Sequence, residues 1–72
     1  MPDDAPSAPE WLAAFASRLG VEPPAADLVD TLLELAGVAA HSSERTAAPI
    51  ACWLVGVAGL SPAQALDLAR QP

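Results

Sequence analysis

The side chains able to do chemistry are gathered in one short polar stretch, His41-Ser42-Ser43-Glu44-Arg45-Thr46, directly ahead of the uncharged run Ala47–Leu60. If a helix begins after Thr46, the open N–H groups of its first turn carry partial positive charge. Arg45 and a protonated His41 would then complete a small anion site. The same residues admit a simpler reading. Basic groups at the end of a preceding helix satisfy its last carbonyls and its dipole, and Arg45 pairs with Glu44, Glu34 or another acid. The candidate ligand-binding residues are therefore His41, Glu44, Arg45 and Thr46, at the junction of two helices.

Catalysis finds little support. His41 is the single histidine, and Ser42 and Ser43 are its sequence neighbours, which on a helix point away from one another. Cys52, the single cysteine, lies inside the apolar run, where its surroundings raise rather than lower a thiol pKa. It forms no metal-ligand spacing and no disulfide framework. We therefore expect no catalytic residue, no metal site and no enzyme. Trp11 and Trp53 are expected as core or interface anchors, since an acidic chain is a poor stacking platform for bases.

The elements that must position this junction are helical. Ser7-Ala8-Pro9-Glu10 has the spacing of a capping box, opening a helix over about Ala8 to Leu19 that Gly20 stops, with Val21 folding back. Glu22-Pro23-Pro24 is a stiff connection. A second helix follows from about Pro24 to Ser42, with Leu28, Leu32 and Leu35 facing inward and Asp27, Asp30, Thr31 and Glu34 on a wet stripe. Those acids form either a solvated face or an acidic docking surface.

Thr46 is placed to cap the third helix. Its run is too short for a bilayer and has no face that prefers water, so it is expected as the central helix, buried all round. One face is bulky (Ile50, Trp53, Leu54, Val57); the other (Cys52, Val55, Gly56, Gly59) is mostly small. Gly56, costly in a helix, points to a close helix crossing, and Gly59 to the helix end. Ser61-Pro62-Ala63-Gln64 is a second capping box, opening a short helix to about Arg70 in which Asp67 and Arg70 can pair. The fold class is all-α, a small bundle of four short helices with helix three central, in one domain over residues 7–72 behind a disordered leader, residues 1–6.

A chain of 72 residues is near the size where one core supplies only a few kcal/mol, so a second subunit or larger partner is a natural expectation. The net charge of −6 argues against nucleic acid and anionic membrane, both of which call for a basic surface. The lone cysteine and the acidic N-terminus without an apolar signal core fit a cytoplasmic setting.

Read together, Trp11-Leu12, Leu19-Gly20-Val21, Leu35-Ala36, Ala40-His41, Glu44-Arg45 with Ala47-Ala48-Pro49, and Leu54-Val55-Gly56 follow the order W-L…L-G-V…L-A…A-H-x-x-E-R-x-A-A-P…L-V-G. That order resembles a small helical domain family of unassigned function in high-GC bacteria, found alone or fused behind a molybdenum-cofactor guanylyltransferase domain. Two positions depart from it: Gly37-Val38 stand where an acid is frequent, and Ser42 where Gly is frequent. The resemblance implies a role near molybdenum-cofactor maturation or a molybdenum enzyme such as formate dehydrogenase, without the guanylyltransferase reaction, for which the chain has no Gly-rich loop.

Three functions are thus expected in order. The first is a non-enzymatic accessory or interaction domain whose protein partner is a molybdenum enzyme or its maturation factors. The second is a module binding a small anion or the pterin phosphate of the molybdenum cofactor at His41–Arg45. The third is a self-associating bundle whose Trp53 face closes a homodimer.

Overall fold

The computed structural model describes residues 5–71, so most of the expected leader, residues 1–4, lies outside the described residues. Four helices follow in order: α1 Ala8–Leu19, α2 Ala26–Ser42, α3 Ala47–Ala58 and α4 Pro62–Ala69. The all-α arrangement of four short helices is as expected, and no strand occurs among the described residues.

Local chemistry accounts for the ends. Ser7 Oγ accepts from the Glu10 N–H at 3.2 Å while Glu10 Oε1 accepts from the Ser7 N–H at 2.8 Å, the reciprocal closure of a capping box. Ser61 and Gln64 repeat it at the start of α4, with both N–H···O distances 3.2 Å. Gly20 ends α1 at φ 77°, with the Val21 N–H donating to the Ala16 carbonyl at 3.0 Å. That left-handed turn is open to glycine at no steric cost. α2 starts at Ala26 rather than Pro24, because Ala25 is still extended and its carbonyl takes the first helical bond, from the Val29 N–H at 3.0 Å.

Packing differs from the expectation. α2, not α3, is the helix on which the others assemble: α3 and α4 both lie against it, and α1 makes no comparable contact with any element. The core is correspondingly small. Leu35 of α2 meets Ala65 and Leu66 of α4, with Val38, Ala51, Cys52 and Val55 packed around them.

α3 has no buried residue, which corrects the expectation of a helix buried on every side. Cys52 and Val55 of its small face, with Ala51, are half-buried against α2 and Gly56 and Gly59 are exposed, while Ile50, Trp53, Leu54 and Val57 turn outward, 55–66% exposed. Small side chains let α3 approach α2 closely, but a chain of this length has no further layer with which to cover the bulky side. Nor does Gly56 mark a crossing, since a Cβ there would meet nothing within 4 Å.

α1 stands apart on the rigid Glu22-Pro23-Pro24 connection. Its Leu12 and Ala13, with Val29 and Leu33 of α2, line an open apolar groove of about 380 Å³ rather than closing a core. Trp11, Phe15 and Leu19, which share one line along α1, are therefore exposed while Ala16 is buried, and Trp11 stacks on Phe15 with ring centroids 5.0 Å apart.

Candidate functional site

The polar junction lies where α2 gives way to α3. α2 closes with the Ser43 N–H donating to the Ala39 carbonyl at 3.1 Å, and the chain turns through Glu44, Arg45 and Thr46 before α3 begins. His41, Glu44, Arg45 and Thr46 are all exposed.

Thr46 stands at the N-cap position as expected, but with helical backbone angles, φ −68° and ψ −16°, and its side chain makes no capping bond. The reason is the turn before it. The Ala47 N–H donates to the Glu44 carbonyl at 2.9 Å and the Ala48 N–H to the Arg45 carbonyl at 3.2 Å, so the backbone itself satisfies the groups a threonine oxygen would otherwise reach. Pro49 has no N–H. The first three positions of α3 thus hold no free amide for an anion.

A shallow depression of about 430 Å³ adjoins this turn, lined by Ser43, Glu44, Thr46, Ile50 and Leu54 among others. His41 and Arg45 are not part of its wall. The structure therefore divides the constellation: Glu44 and Thr46 border the depression, with a carboxylate rather than a cation at its rim. His41 and Arg45 lie outside it, and their side chains make no hydrogen bond or ion pair among the described residues. A pterin phosphate fits these residues poorly, since the helix start has no unpaired amide to offer and the nearest lining charge is negative. Among the described residues, no group of three or more His, Cys, Asp or Glu side chains is arranged to hold a metal ion.

Arg70 also departs from expectation. Its Nη2 lies 3.0 Å from Glu34 Oε2 on α2, not against Asp67. α4 crosses α2 there, so the tertiary partner is the one within reach. The surroundings of Glu10 shift its carboxyl. The Ser7 backbone N–H, and then the Ser7 hydroxyl, hold it below the usual carboxylate range.

Of the two tryptophans expected as anchors, neither is in the core: Trp11 is 52% exposed and Trp53 66%. Their neighbours complete two outward apolar surfaces, Phe15 beside Trp11 on α1 and Ile50, Leu54 and Val57 beside Trp53 on α3. The residue pattern separated the bulky from the small face of α3, but it held no signal for which of the two met α2.

The fold and its surfaces define a small all-α domain marked by large apolar side chains on two helix faces. The sequence matches the family described as Domain of unknown function (DUF6457) over residues 3–71, nearly its whole length, and the chain belongs to that family. No curated protein matches it, and no solved structure does. No helix of the described residues is long and apolar enough to cross a membrane.

Proposed function

We propose that this chain is a non-enzymatic accessory domain that docks on a protein through α1, serving molybdenum-cofactor maturation or the assembly of a molybdenum enzyme such as formate dehydrogenase. The observation that carries the docking is the stacked Trp11–Phe15 pair, exposed on a helix that its own fold scarcely uses for packing. Aromatic anchors of this kind supply much of the binding energy at protein interfaces. The acids of α2, Asp27, Asp30 and Glu34, and the net charge of −6 favour a partner with a basic rim.

The molybdenum setting rests on the resemblance carried by the A-H-x-x-E-R-x-A-A-P block, from Ala40 to Pro49, and on the guanylyltransferase fusion that this resemblance implies. The test is co-purification from a host making a molybdenum enzyme. The intact chain should retain that enzyme or a maturation factor, and Trp11→Ala with Phe15→Ala should release it while helicity is unchanged. Full activity of the enzyme after deletion of this chain would overturn the reading.

The alternative, a pterin-phosphate or small-anion module at His41–Arg45, is decided separately. Titration with inorganic phosphate or the isolated cofactor should then saturate and be weakened by Arg45→Ala; a flat titration rejects it.

A further inference from the structure

We infer that the outward face of α3 is covered by α3 of a second copy of this chain, in an antiparallel, two-fold symmetric pair. The accessible surface of the chain is 5598 Å², whereas a folded monomer of 7.3 kDa leaves about 4,200 Å² exposed. The surplus is larger than the roughly 800 Å² per partner that a standard interface hides. The shape agrees: the radius of gyration is 13.4 Å, against about 11 Å for a compact domain of this length.

Charge permits α3 to meet its own copy. Each molecule carries −6, so self-association requires a surface that brings no acids together. The wet stripe of α2 carries Asp27, Asp30 and Glu34, and α1 carries Glu10 with Arg18. α3 has no charged residue from Ala47 to Ala58. Its Ile50, Trp53, Leu54 and Val57 follow the i, i+3, i+4, i+7 spacing of a helix-pairing stripe.

An isologous pair matches each residue with its mirror position along the axis. With the two-fold midway between Leu54 and Val55, Trp53 of one copy stands level with Gly56 of the other and on the same flank. The space over Gly56 is open, with nothing within 4 Å of a Cβ built there, and is thus free to take an indole.

Sedimentation equilibrium of the full chain, from nanomolar to millimolar, tests this. The expected result is a dimer whose dissociation constant rises at least about tenfold in Trp53→Glu, as for loss of a central aromatic anchor. Gly56→Glu should weaken it comparably. Ala63→Glu, which adds the same charge on the exposed side of α4, should not. Far-UV circular dichroism shows that each variant keeps its helices. A monomer at every concentration overturns the proposal, as does a dimer that Trp53→Glu leaves intact or one that Ala63→Glu weakens as much as Gly56→Glu. The partner-docking reading stands on Trp11 and Phe15, so co-purification of a monomeric chain would leave that reading in place while removing this one.

Discussion

Arg70, just past the end of α4, reaches across to Glu34 in the middle of α2, with Nη2 and Oε2 3.0 Å apart. Both side chains are more than half exposed, so water and salt weaken their attraction. The pair pins the last turn of the chain to the helix that organises it, a positional role more than an energetic one.

Breaking it should therefore cost little. Arg70→Ala or Glu34→Ala is expected to lower stability by no more than about 1 kcal/mol. The difference from the parent should vanish in high salt, where screening shortens the Debye length to about 3 Å at 1 M. Urea unfolding of the two single variants and the double variant, at low and high salt, checks this.

Leu35 is the opposite case. At 2% exposure it is the one bulky side chain of α2 fully enclosed between α3 and α4, and Leu35→Ala should cost about 2–5 kcal/mol in lost transfer energy and cavity. A domain held by only a few kcal/mol has little reserve for this. The expected outcome is a steep drop in the urea midpoint or loss of cooperative unfolding.

Two glycines should answer alanine in opposite directions. Gly20 sits at φ 77°, where a Cβ is strained, so Gly20→Ala should destabilise α1 by about 1 kcal/mol. Gly37 lies inside α2 with nothing within 4 Å of a built Cβ. Gly37→Ala should stabilise by up to about 1 kcal/mol through helix propensity. Thermal melts of the two variants separate these outcomes.

The α1 cap should respond to acid. Folding lowers the Glu10 pKa because the ionised carboxylate accepts from Ser7. Its contribution is complete above the ordinary glutamate pKa of about 4.3 and is lost as pH falls through the lowered folded value. Faster exchange of the Ser7 and Glu10 amide protons below that pH is the expected signature, corrected for intrinsic exchange. Glu10→Gln, whose amide oxygen can still accept from Ser7, should remove this titration while leaving α1 helical.

The ends of the elements were legible in the residues because their causes span three or four positions. Ser7 with Glu10, Ser61 with Gln64, and the stops at Gly20 and Gly59 are each settled by neighbours along the chain. The position of the polar junction between α2 and α3 was legible for the same reason, and so were the two faces of α3, which follow from helical periodicity alone. What the junction would look like was not. The Glu44 and Arg45 carbonyls take the Ala47 and Ala48 amides through a turn that residue types do not dictate, and this removes the free helix start on which an anion site would depend.

Residue order by itself determined four helices, their limits to within two residues, and an acidic chain with one polar junction. Tertiary structure decided that α2 is the hub, that α3 turns its small face inward and Trp53 outward, and that Arg70 meets Glu34 instead of Asp67. The physical reason is common to all three. Helix formation is local, but which face is buried depends on how many other surfaces are present to cover it. In this small chain α2 and α4 shield only one side of α3, and α1 shields almost nothing.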